Sequence, residues 1–170
     1  MNVKLIHIAA NPPYPNNDLP VLYYENALEE ALLTESYKAS EVLDLFEKNN
    51  YSNGWVNGII DKHHYHSNSH EVLGCFAGEA MIQLGGPNGE ILKFRKGDVI
   101  LLPAGVSHKR LDQSQDFKIV GAYPDGMTHD MQYGDTEEYN KILTNIQQVP
   151  LPLTDPVTGS PSNVVKHWKD

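Results

Sequence analysis

Four histidines crowd into eight residues, His63, His64, His66 and His70, with Glu71 directly behind them. Imidazole and carboxylate groups bind borderline transition metals, so the cluster reads first as a metal site. On a strand, residues two apart share a face. His64 and His66 therefore project together, Tyr65 points away, and His63 is expected on the surface. Glu71 follows His66 by five residues, which on an uninterrupted strand is the wrong face. Ser67-Asn68-Ser69 is turn chemistry, however, and a turn or bulge there resets the phase. A lone glutamate opening the apolar run Glu71–Ala77 is costly to bury, and coordination of a metal would resolve that cost. His70 keeps three readings at this point: a ligand in place of Glu71, a donor behind the ligands, or an acid/base group in the pocket.

A further ligand has to arrive from another strand. Gly97-Asp98 makes a turn, Val99–Leu102 is apolar, and Pro103-Ala104-Gly105 turns again just before His108. That pattern delivers a second imidazole-bearing strand end. Cys75 shares parity with Glu71 and Leu73, and is read as a small core hydrophobe. Tyr123 is a candidate wall of the pocket. His7, His129 and His167 are assigned no role.

The elements that position these residues follow from the hydrophobic period. Lys4–Ala9 and Leu19–Tyr24 are short extended runs separated by the proline-rich stretch from Asn11 to Asn17. From about Asn26 to Lys48 the pattern is helical, with Ala39, Val42, Leu43 and Phe46 on one stripe and Ser36 as the candidate cap. From Trp55 to Tyr123 the period is two and turns recur every eight to twelve residues, the signature of a sandwich or barrel. Ala80–Leu84 and Glu90–Phe94 flank Gly85-Gly86-Pro87-Asn88-Gly89 as a hairpin. Thr136 to Gln147 predicts a terminal helix, and the proline-rich tail from Val149 to Pro161 is expected to pack along the surface. We read one domain: 1–54 packing on the barrel, 55–124 as the barrel core, and 125–170 as helix and tail.

Within that frame two longer motifs emerge. Gly58, five residues, His64-Tyr65-His66, four residues, Glu71, six residues and Gly78 form the first. Gly97, five residues, Pro103-Ala104-Gly105, two residues, His108, three residues and Asp112 form the second, and eighteen residues separate the two. These match the two cupin motifs, apart from aspartate where the pattern has asparagine. Pro15-Asn16-Asn17, the string His63–Leu73 and Val120-Gly121-Ala122-Tyr123-Pro124 further resemble the YjlB-like cupins of bacteria. The resemblance implies an all-β, single-domain jelly-roll barrel with a few peripheral helices, and a homodimer. It also implies one divalent metal on His64, His66, Glu71 and His108, with His70 left as a candidate behind the ligands.

Three imidazoles and a carboxylate suit Fe, Mn, Co, Ni or Zn, and four protein ligands on an octahedral ion leave positions for a substrate. The leading expectation is a metal-dependent enzyme, dioxygenase-like, acting on a small polar molecule. The alternatives are an isomerase or lyase with His70 as base, and a non-catalytic binding module. Composition excludes other classes. Thirteen Lys and Arg against twenty-two Asp and Glu give a net charge of −9, which disfavours nucleic acid and anionic membranes. Cys75 has no partner for an internal disulfide. No run approaches a membrane span or a signal-peptide core, so a cytoplasmic protein is expected.

Overall fold

The computed structural model describes residues 1–134 and 137–168. The strands are β1 (Asn2–Ile8), β2 (Asn17–Glu25), β3 (Tyr51–Asn57), β4 (Glu71–Ala77), β5 (Glu79–Leu84), β6 (Glu90–Arg95), β7 (Val99–Leu102), β8 (His108–Gln113) and β9 (Lys118–Pro124). The helices are α1 (Ala27–Leu32), α2 (Ala39–Lys48), α3 (Tyr139–Gln148) and α4 (Ser162–His167). Two antiparallel sheets form, one of six strands in the order β1-β2-β7-β4-β9-β3 and one of three in the order β6-β5-β8. They face each other as a jelly roll and are not closed into one continuous ladder.

Strand parity divides β4 between two cores. Leu73 and Cys75 face the three-stranded sheet and join Ile82, Leu84, Phe94, Ile100 and Phe117 in the inner core. Val72 faces the opposite way and packs with Val42 and Phe46 of α2. A side chain at Gly74 would collide with the Phe46 ring at 2.9 Å, so the helix lies hard against the sheet. Cys75 is a buried free thiol, pushed up to about 12 by burial, and behaves as a core residue.

The expected helix over Asn26–Lys48 is two helices. Leu33 adopts a left-handed conformation between them, and Ser36 does not cap the second. Lys38 stands at that cap, its backbone N–H donating to the Glu41 carboxylate at 3.2 Å. The α3 helix starts three residues later than expected, at Tyr139, and Thr136 lies outside the described residues.

The tail corrects a larger expectation. It does not simply follow the surface: Val157 is buried in the α2-side core, and beyond Pro161 the chain stays there through Val164 and Trp168. Asp155 is wholly buried and accepts from the Tyr24 hydroxyl at 2.7 Å and from the Val157 and Thr158 N–H groups. These bonds satisfy a carboxylate that would be costly to bury unpaired. Among the described residues no helix is long and apolar enough to cross a membrane.

Candidate metal centre

The site lies where the two sheets meet. Residues 58–70 cross between β3 and β4 without forming a strand, and only His64 and Tyr65 make isolated bridges, to His108 and Gln132. The expected strand through the histidines is thus reduced to single rungs, yet its parity survives. His64 and His66 turn inward, and Tyr65 turns out to pack with Ala104, Ile142 and Ile146. His64 and His108 exchange two backbone bonds, of 2.9 and 3.3 Å, which ties the crossing segment to the start of β8.

Glu71 opens β4 opposite Leu102, on the inner face shared with Leu73. The segment Ser67–His70 resets the phase, as the turn chemistry required. The Glu71 Oε1 lies 3.4 Å from Nε2 of His66 and 3.4 Å from Nε2 of His108. Ligand nitrogens of His64, His66 and His108 all lie within 4.8 Å of one another, and all three rings are buried. Neighbouring donors on one ion with bonds of about 2.1 Å stand roughly 3 Å apart, so this group is close to the size a metal requires.

Hydrogen bonding settles which nitrogen faces inward. Nδ1 of His64 meets the Lys62 carbonyl at 2.8 Å, that of His66 the Asp130 carbonyl at 2.6 Å, and that of His108 the Val106 carbonyl at 3.0 Å. A carbonyl only accepts, so each Nδ1 carries a proton and each Nε2 faces the cavity, where it offers a lone pair to an ion once any proton shared with Glu71 has left. This is the arrangement in which a second contact fixes the tautomer of a metal-binding histidine. The donor set therefore fits a divalent ion.

The electrostatics favour a cation as well. Burial works against ionisation of Glu71, but the His66 and His108 imidazoles outweigh it and hold the carboxyl well below its usual range. Burial likewise opposes charge on His66, yet Glu71 raises that imidazole above its ordinary value. His64 is pushed down to about 3 by burial and by His108 beside it. Among the described residues Glu71 is the one carboxylate on the cavity wall, and it offers negative charge to whatever cation the imidazoles hold.

The cavity measures about 350 Å³ and is walled by Trp55, Asn57, Gly58, Ile59, Ile60, Leu73, Tyr123, His129 and Met131 around the cluster. Tyr123, the expected wall, hydrogen-bonds Glu71 and accepts from Trp55 Nε1 at 2.8 Å; its hydroxyl is driven upward by burial and by that carboxylate. Trp55 reaches this position because it lies over Gly121, where any Cβ would sit 2.2 Å from the ring.

Several residues went unassigned in the sequence. His129 stacks on Tyr123 with ring centroids 4.4 Å apart and stands 4.8 Å from His66. It arrives because the Pro124-Asp125-Gly126 turn, with Asp125 and Gly126 at positive φ, sends the chain back beside Tyr65–Ser67. That Pro-Asp-Gly signal was visible in the sequence. Asp130 then clamps the return: its carboxylate accepts from Ser67 N–H and from Gln132 Nε2. Asn16 and Asn17 hold the turn before His108, the first accepting from Ser107 N–H at 3.0 Å and the second donating to the Ala104 carbonyl at 2.9 Å. Asp112, the departing motif position, is exposed on β8 away from this cavity.

His70 is corrected. It faces away from the metal cavity, into a separate space lined by α3 and residues 149–151. Its Nδ1 accepts the Ala104 N–H at 2.8 Å and its ring packs on Trp168. Glu71 and His70 are consecutive, so when Glu71 opens the inner face its predecessor takes the outer one. His63, expected on the surface, is half-buried against Tyr14.

Burial holds His70 down to about 4. The unfolded chain binds a proton near 6.5 and the folded chain does not, so stability falls as pH drops from 6.5 toward 4. His70 alone is expected to remove about 2 kcal/mol between pH 7 and pH 5. Urea denaturation at the two pH values should show this component in wild type. His70→Asn, whose Oδ1 can replace Nδ1 toward Ala104, should lack it.

The cupin family profile matches residues 57–127. Uncharacterized protein YjlB of Bacillus subtilis is 39% identical over 155 residues, which cover 91% of this chain and 89% of that protein. The chain is a cupin of the YjlB family. Among solved structures, this cupin resembles acireductone dioxygenase from Bacillus anthracis with a cadmium ion in its active centre. That match has 19% identity and a TM-score of 0.43, over 66% of this chain and 83% of the other. It also resembles the 3,4-ketoisomerase QdtA from Thermoanaerobacterium thermosaccharolyticum in complex with TDP. There the identity is 17% and the TM-score 0.44, over 55% of this chain and 74% of the other.

Proposed function

We propose that this cupin is a metal-dependent enzyme, dioxygenase-like, that holds one divalent transition ion on His64, His66, Glu71 and His108 and acts on a small molecule in the adjoining cavity. The observation that carries the reading is the tautomer of the three histidines, each Nδ1 tied to a carbonyl so that Nε2 faces the cavity. Such an ion supplies Lewis-acid polarisation of a bound oxygen donor and, where redox-active, reaction with dioxygen.

The chain's own residues do the rest. Tyr123, fixed by Trp55, hydrogen-bonds Glu71 and keeps that carboxylate turned toward His66 and His108. Ile59, Leu73 and Trp55 exclude water from one side of the cavity. His129 presents a hydrogen-bonding imidazole to a bound molecule and is held in place by its stack on Tyr123. An enediolate route with His70 as base loses its base, because His70 lies in another space. The oxidative reading needs no such group.

The test is elemental analysis of untagged protein followed by oxygen uptake after loading with Fe(II), across diols, catechols, thiols and keto acids. About one ion per chain with substrate-dependent uptake is expected. A bound ion with no uptake on any of these compounds overturns the oxidative assignment.

A further inference from the structure

The cavity is unusual in what its walls lack. Among the described residues no Lys or Arg lines it, and Arg110 turns its Nε away to donate to the Ile59 carbonyl at 3.0 Å. Among the described residues Glu71 is the one carboxylate that lines it. Phosphorylated compounds and dicarboxylates need a cationic or multi-donor partner for each charged group left away from the ion, because desolvating an unpaired anion is costly. The chain's net charge of −9 adds long-range repulsion.

The walls instead offer apolar surface. Trp55, Ile60, Leu73 and Met131 surround the space beyond the cluster. Ile60 and Met131 are 40% and 41% exposed, so two large apolar side chains stand in water at the cavity. An occupant with an apolar body would cover them. The volume of about 350 Å³ is at the lower end for small-molecule sites and admits a body of about one ring.

Resting on the metal-holding reading above, we infer that the substrate class is a small uncharged molecule with a chelating pair of oxygens at one end and a compact apolar body at the other. The oxygen pair is directed to the His64, His66, Glu71 and His108 cluster. The body lies against Trp55, Ile60 and Met131, with His129 able to hydrogen-bond at its edge. Phosphorylated and multiply anionic metabolites are outside this class.

The test uses three hydroxamates with the same oxygen pair: acetohydroxamate, benzohydroxamate and the para-carboxylate of benzohydroxamate. Each is titrated into full-length protein, zinc-loaded and zinc-free, while the indole N–H resonances are followed. The chain has two tryptophans, and Trp168, buried and bonded to the Pro20 carbonyl at 2.8 Å, is the internal reference. In zinc-loaded protein benzohydroxamate should bind about tenfold more tightly than acetohydroxamate, because a ring is buried. The carboxylate derivative should bind about tenfold more weakly than benzohydroxamate. The Trp55 signal should move and the Trp168 signal stay. Met131→Lys should bring the carboxylate derivative level with its parent. Equal or tighter binding of that derivative by wild type, or movement of Trp168 alone, overturns the inference. Failure of the metal reading is distinct: zinc-loaded and zinc-free protein would bind each probe equally, with the order of probes intact.

Discussion

Saturation of the site with its ion is expected to stabilise the protein by about 4 kcal/mol when free ion stands a thousandfold above its dissociation constant, and His108→Ala should abolish that gain. The gain arises because the folded state alone brings the donors together. They come from three places in the chain: the crossing segment, the start of β4 and the start of β8. In an unfolded chain Glu71 and His108 have no reason to meet. His108 is the informative residue to remove, since its Nε2 is 3.4 Å from the Glu71 carboxylate and its Nδ1 is fixed by Val106. Its backbone bonds to His64 do not need the side chain, so the variant keeps the rung that closes the site. Urea denaturation of chelator-treated protein, with and without added ion, reads both effects. Identical midpoints for wild type with and without ion would show that the cluster holds none.

The part of this site that was legible in the sequence is the part governed by short-range rules. His64 and His66 share a direction because they are two residues apart, and this held even though the segment is not a strand. Glu71 faced inward because Ser67–Ser69 could break the phase. The hairpin from Glu79 to Arg95 followed from Gly85–Gly89, with Leu84 paired to Glu90 as the turn length demands. What was not legible depends on contacts between distant segments. His129 carries no local mark of a site residue; it acquires its place only when Asp130 meets Ser67, more than sixty positions away. Asn16 and Asn17 were visible as part of a family string, but their work is to hold the turn before His108, roughly ninety positions on. His70 was misplaced for a related reason. Chemistry made it a plausible partner for the ligands, whereas strand alternation at the start of β4 sends it to the opposite face.

The tail shows how far such distant contacts carry energy, and Trp168→Ala is expected to cost about 4 kcal/mol. Its indole is 2% exposed, joins Tyr24, Val157 and Val164 in the α2-side core, and donates to the Pro20 carbonyl. Truncation removes that burial, leaves a cavity that the flanking sheet is too rigid to fill, and strands a carbonyl on β2. Trp168→Phe keeps most of the ring and loses the bond, so its cost should be nearer 1 kcal/mol. The site feels this change by a short route. Trp168 packs on His70, His70 accepts from Ala104, and Ala104 belongs to the turn that delivers His108. The alanine variant should therefore bind metal more weakly as well as unfold more readily, while Trp168→Phe should leave metal binding close to wild type. Denaturation and metal titration of the two variants together separate these effects. A cost below about 1 kcal/mol for Trp168→Ala would mean that the tail does not belong to the cooperative core.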